Sequence, residues 1–194
     1  MKRLAMTDLL DILAYEKVRD ERLGAVIALK KKRRLAVGPM VTLLFENRET
    51  VRSQIQEMMR AERTVRDEAI REELDVYNEL IPREGELSAT LFIEVDAPER
   101  VREVLDRFIG LDAPGRVFVR FEGGITAPAL FEAGNSREDR ISAVHFVRFP
   151  LDEAAAAAFR RGAGRVEVVI HHPNYEATAE IPGDLRRELS DELV

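Results

Sequence analysis

Leu87-Ser88-Ala89-Thr90-Leu91-Phe92-Ile93-Glu94-Val95 and Ile141-Ser142-Ala143-Val144-His145-Phe146-Val147-Arg148-Phe149 read as two versions of one strand. Ser, Ala and Phe coincide at three positions, and apolar residues match at most of the others. Apolar residues recur at every second position, the period of a strand with two unlike faces. Each stretch is followed by a helix signal, Pro98 to Ile109 and Asp152 to Arg161, ending near glycine. Gly115-Arg116-Val117-Phe118-Val119 then answers Gly164-Arg165-Val166-Glu167-Val168. A further strand follows a turn at Gly123-Gly124 in the first case and Pro173-Asn174 in the second. The order strand–helix–strand–strand thus occurs twice, over about 86–133 and 140–182. Two such units predict one antiparallel sheet with both helices on a single face, an α+β fold. A short helix, Asp184 to Leu193, closes the sequence.

The strand phase assigns the faces. Leu87, Ala89, Leu91, Ile93 and Val95 pack on the helices with Ile141, Ala143, His145, Val147 and Phe149, which makes His145 a core histidine. The other face carries Ser88, Thr90, Phe92, Glu94, Ser142, Val144, Phe146 and Arg148, with Phe118, Arg120 and Glu122 joining them. An aromatic floor with a few edge charges has the composition of a ligand groove. It also suits docking of the long first helix, the favoured fate, because a large exposed apolar patch is unusual in a monomer. Were the protein an enzyme, Glu94 would be its acid or base, with Arg120 or Arg148 stabilising negative charge in one pocket. A third reading makes the aromatic face the interface of a homo-oligomer.

Residues 1–84 form a helical region with one strand, packed with residues 85–194 as one compact domain. Thr7 and Asp8 cap a helix over about 7–33, which ends in the basic run Lys30 to Arg34, a solvated terminus suited to the helix dipole. Met40 to Phe45 reads as a buried strand after the Gly38-Pro39 break, and Asn47 caps the next helix. There Val51, Ile55, Met58 and Met59 share the core face. Arg52, Gln56, Arg60 and Arg63 form a second stripe, with Arg48 at its start, near a helix N-terminus where an anion would bind. Glu49, Glu57 and Glu62 are close enough to neutralise that stripe instead. Asp67 caps a third helix that runs to Leu80, and Pro82 to Gly85 marks the boundary.

Composition limits the chemistry. The 194 residues carry 30 Lys+Arg against 36 Asp+Glu, a net charge of −6, which argues against a nucleic-acid partner. With 45% hydrophobic residues the chain supports a sizeable core. The absence of cysteine excludes disulfides, thiolate metal sites and a cysteine nucleophile. His171 faces Glu176 across the Pro173-Asn174 turn, too few ligands for a metal site, and no metal or cofactor is assigned. No run of about 18 apolar residues or signal peptide stands out, so a cytoplasmic protein without a membrane partner is expected.

The element order of residues 86–182 resembles the duplicated fold of bacterial effector-binding domains and SOUL-type haem-binding proteins. The whole chain resembles an uncharacterised bacterial family, domain of unknown function 3501. The likeness lies in Val26 to Lys30, Val37-Gly38-Pro39, Leu43 to Arg48, Val51-Arg52, Gln54 to Met58, Arg60 to Arg63, Tyr77 to Pro82 and Gly85 to Glu94. It implies an accessory role in redox or oxidative-stress handling, with a rubrerythrin-like protein or an iron–sulfur oxidoreductase as partner. The expected function is therefore an accessory or small-ligand-binding protein that holds a small anionic ligand or docks a redox partner. Its candidate ligand residues are Arg48, Arg52, Gln56, Glu57, Tyr77, Asn78, Glu94, Arg120 and Arg148.

Overall fold

Asp11, rather than Thr7 or Asp8, caps the first helix, its carboxylate accepting a hydrogen bond from the Ala14 amide at 2.8 Å. Asp8 instead accepts from the Ala5 amide, also at 2.8 Å, and closes a 3-10 turn over Met6–Asp8. Helix α1 therefore spans Ile12–Lys32, a turn shorter than expected. The computed structural model describes residues 1–132, 136–137 and 140–193; residue 133, the expected end of the first unit, lies outside them.

After α1 the chain makes β1 (Arg34–Ala36), a strand the sequence did not announce, and β2 (Val41–Phe45). Asn47 caps α2 (Arg48–Glu62) as expected: its side chain accepts from the Glu49 and Thr50 amides while the Thr50 hydroxyl accepts from the Asn47 amide. Helix α3 spans Asp67–Asn78, with Asp67 inside its first turn and not at the cap. Then come β3 (Glu86–Ile93), α4 (Val101–Asp106), β4 (Val117–Phe121), β5 (Thr126–Pro128), β6 (Leu130–Phe131), β7 (Ser136–Arg137) and β8 (Arg140–Ile141). The chain finishes with β9 (Val144–Pro150), α5 (Glu153–Arg160), β10 (Val166–His172), β11 (Tyr175–Glu180) and α6 (Gly183–Ser190).

The class is α+β, but the strands divide between two main antiparallel sheets where one was expected. The first has the order β1-β2-β3-β9-β6 and the second β11-β10-β4-β5, while β7 pairs with β8. The strands quoted at the outset lie side by side in the first sheet, Leu91 opposite His145. Their successors lie side by side in the second, Val119 opposite Val168. The division is made at Ala129. On one side of it β5 pairs with β4, on the other β6 pairs with β9, and the Ala129 amide donates to Val117 O at 2.8 Å. Phe118 and Arg120 therefore lie on a different sheet from Phe92 and Phe146.

Both sheets share one core with α4, α5 and α6, in which Leu43, Phe45, Leu91, Phe149, Val119, Val168, Phe108 and Phe159 are buried. Each large side chain so buried contributes roughly 1.5–3 kcal/mol. A second cluster joins Leu4 to Val51, Ile55 and Met59 of α2 and to Ile70 and Leu74 of α3. Phe146, on the outer face of the first sheet, packs against this second cluster. That face is where the two layers meet.

Candidate functional site

Period-two alternation sends Leu43, Phe45, Ala89 and Leu91 into the shared core, so Leu44, Thr90, Phe92, Val144 and Phe146 point the other way. Leu44 is in register with Thr90, Thr90 with Phe146, and Phe92 with Val144, which makes a continuous apolar band. Helix α1 packs against α2, and the two stand over this band. Between them is a groove of about 480 Å³. Leu23, Val26, Ile27 and Lys30 of α1 form one wall, and Gln54, Glu57, Met58 and Ala61 of α2 form the other. The first helix thus walls the sheet face without filling it. Met58, expected in the core, lines the groove, whereas Val51, Ile55 and Met59 are buried as expected.

Glu46 sits at the groove's inner end, where β2 passes into α2, and is only 3% exposed. Its two carboxylate oxygens accept hydrogen bonds from two hydroxyls, Thr90 Oγ1 at 2.6 Å and Thr50 Oγ1. Thr50 Oγ1 also accepts from the Asn47 amide at 2.9 Å and lies 3.0 Å from the Asn47 carbonyl, a second acceptor for its proton. The sequence singled out Leu43 to Arg48 as a block but not Glu46 as a site residue. The available signal was a strand-end carboxylate one turn before a threonine.

The residues named from the sequence hold the protein together more than they converge on a ligand. Arg48 meets Asp8 at 2.6 Å, Arg52 meets Glu49, Arg120 meets Glu167 at 2.9 Å, and Arg148 stands 3.5 Å from Glu79. Glu57 receives the Arg19 guanidinium at 2.8 and 2.9 Å and the Tyr15 hydroxyl at 2.8 Å. The Arg19 hydrogen bond holds the Glu57 carboxyl below the usual carboxylate range, and burial pushes the Tyr15 phenol up to about 12. Gln56 forms a two-point amide pair with Leu10, and Asn78 forms one with Leu4. Tyr77 packs against the α2–α3 cluster, and burial raises its hydroxyl pKa.

Glu94, Arg120 and Arg148 do not converge, which corrects the pocket the enzyme alternative required. Arg148 is opposite Ser88, and Glu94, just past the end of β3, lies six residues further along the chain, about 20 Å away at about 3.3 Å per residue. Arg120 is on the second sheet. Glu94 is exposed beside Met40, Arg100 and Arg107 in a separate cleft. The basic run also divides: Lys31 and Lys32 are exposed, but Arg33 is wholly buried and paired with Glu192.

Fold and groove together define an α+β protein in which two packed helices, α1 and α2, overhang one face of a two-sheet core. The family model described as Protein of unknown function (DUF3501) matches residues 3–193, and the chain belongs to that family. It is similar to a solved structure, a novel protein of unknown function from Burkholderia pseudomallei K96243, at 35% identity over 100% of both chains with a TM-score of 0.92. A comparison with curated proteins finds no match.

Proposed function

We propose that the protein is a small-molecule-binding accessory protein and that the groove under the α1–α2 helix pair holds the ligand. The observation that carries this reading is the groove itself, about 480 Å³ of mostly apolar and aromatic lining with one buried carboxylate at its inner end. Ligand sites typically enclose roughly 300–1,000 Å³ with few orienting polar groups. The paired arginines favour this groove over an anion site at the start of α2. We read the two strand–helix–strand–strand runs as copies of one unit, supported by the like pairing of β3 with β9 and β4 with β10. Among the described residues no helix is long and apolar enough to cross a membrane.

The test is native mass spectrometry and absorbance of protein purified from its own host, beside Ala61→Trp, which places an indole in the groove mouth. A small molecule retained by the native chain and lost from Ala61→Trp supports the reading. A clean apo mass, with no displaceable binding of the neutral apolar dye Nile red, overturns it. The role would then pass to docking of a redox partner, checked by pull-down with iron–sulfur and rubrerythrin-like proteins.

A further inference from the structure

We propose that the groove takes a primary ammonium ion carried on an apolar body, with the Glu46 carboxylate as its counter-ion. This rests on the groove reading above and names the chemistry of its ligand.

A buried ionised carboxylate is costly unless it is both hydrogen-bonded and paired with a cation. Glu46 has the first and lacks the second. The hydroxyls of Thr50 and Thr90 reach one carboxylate oxygen each and leave the remaining lone pairs without a partner. Among the described residues no Lys, Arg or His nitrogen comes within 4.0 Å of its carboxylate oxygens. Arg33, buried nearby, is turned away: it pairs with Glu192 and donates to the backbone carbonyls of Phe45 and Glu46. Lys30 lines the groove from α1 without forming an ion pair with Glu46. The other groove acid, Glu57, is engaged by Arg19 and Tyr15. The Glu46 carboxylate thus has hydroxyl partners but no cationic one among the described residues, and it lines a cavity that opens to solvent.

The surroundings choose among cations. A metal ion needs several hard donors, and among the described residues no three His, Asp or Glu side chains gather to hold one. The lining instead offers Leu44, Phe92, Val144 and Phe146 on the sheet side and Met58 on α2. Those surfaces take an aliphatic or aromatic body, and the faces of Phe92 and Phe146 also tolerate a nearby cation. A primary ammonium brings three donors to the unused lone pairs of Glu46.

Isothermal titration calorimetry of the full chain with decylamine, decanol and decanoate, each below its micelle concentration at neutral pH, tests this. Decylamine is expected to bind about tenfold or more tightly than decanol, the size of one charge-assisted hydrogen-bonded contact, with decanoate the weakest. Glu46→Gln is expected to reduce decylamine to the affinity of decanol. Ala61→Trp, at an exposed position, is expected to lose all three and keep the fold. Equal affinity of decylamine and decanol in the native chain, or tightest binding of decanoate, overturns the ammonium inference and leaves the groove reading standing. Binding of none of the three overturns the groove reading itself. The comparison in the native chain decides the matter even if Glu46→Gln does not fold.

Discussion

Arg33 and Glu192 stand 159 residues apart in the chain and meet as a two-point ion pair, Nη1 to Oε1 at 2.7 Å and Nη2 to Oε2 at 2.6 Å. Asn47 adds a third donor to the carboxylate at 3.1 Å, so the segment after α6 is tied to the junction of β2 and α2 beside Glu46. Burial pushes the Glu192 carboxyl up, opposed by the guanidinium. Removing one partner of such a pair leaves a buried charge alone, a loss of about 3–5 kcal/mol, whereas replacing both by apolar residues is often near neutral. Arg33→Met is therefore expected to destabilise strongly, and Arg33→Met/Glu192→Leu much less. Equilibrium urea denaturation measures both. A double variant as unstable as the single one would show that the pair is not what Arg33 contributes.

Gln56 and Asn78 each use an amide to imitate a backbone partner for the arm that precedes α1. Gln56 takes the Leu10 amide at 2.7 Å and gives to the Leu10 carbonyl at 3.0 Å; Asn78 does the same for Leu4 at 2.7 and 3.0 Å. Asn78→Leu strips two buried backbone groups of partners, at about 1–3 kcal/mol each. Amide hydrogen exchange is expected to accelerate at Leu4 in Asn78→Leu and at Leu10 in Gln56→Leu, with the β3 and β9 amides unchanged. Unaltered exchange in the arm would return these residues to the list of ligand contacts.

What the sequence made legible were the local features. Alternation over Leu87 to Ile93 placed the core and groove faces correctly, and Asn47 announced the start of α2. The facing of His171 with Glu176, at 3.1 Å, followed from a two-residue turn. The choices made between distant segments stayed hidden. Ala129 gives no sign that the chain changes sheets there, because strand partners are set by global packing and not by the strand's own residues. Glu49 claims Arg52 as its spacing announced, but Asp8 and Glu79 claim Arg48 and Arg148 from segments far apart in sequence. Glu46 escaped notice for the same reason: its second hydroxyl, from Thr90, is 44 residues away.

Gly38 has φ +75°, and a Cβ there would collide with the Tyr175 hydroxyl and lie 2.9 Å from the Ala177 side chain. That hydroxyl donates to Val37 O at 2.6 Å and accepts from the Met40 amide at 3.1 Å, so β11 of the second sheet is fastened to the β1–β2 turn. Gly38→Ala is expected to cost about 1–3 kcal/mol through a left-handed backbone position in a closed space. Tyr175→Phe is expected to cost about 1–3 kcal/mol for the two unpaired backbone groups. Because both act on one contact, the double variant is expected to lose less than the sum of the two. Strict additivity in a denaturation cycle would show that the glycine and the tyrosine act separately.

His145 is the core histidine anticipated from its place on β9, 1% exposed, with Nε2 at 2.8 Å from Ser142 O and the Phe131 ring edge-on at 5.6 Å. Burial lowers its pKa below the ordinary 6.5. As pH falls through 6.5 the unfolded chain takes up a proton that the folded chain refuses, so stability declines until the folded-state pKa is reached. Above 6.5 the contribution is complete. The slope within that window is at most about 1.4 kcal/mol per pH unit for one group. Glu57, held below the usual carboxylate range by Arg19, makes its own stabilising contribution above about 4.5 and loses it as pH falls through its lowered pKa, which separates the two effects. Urea midpoints measured from about pH 7.5 down to about 5.5 are therefore expected to fall in the native chain and to stay flatter in His145→Gln. If the two curves run parallel, the proton is taken up elsewhere and His145 is not the group that refuses it.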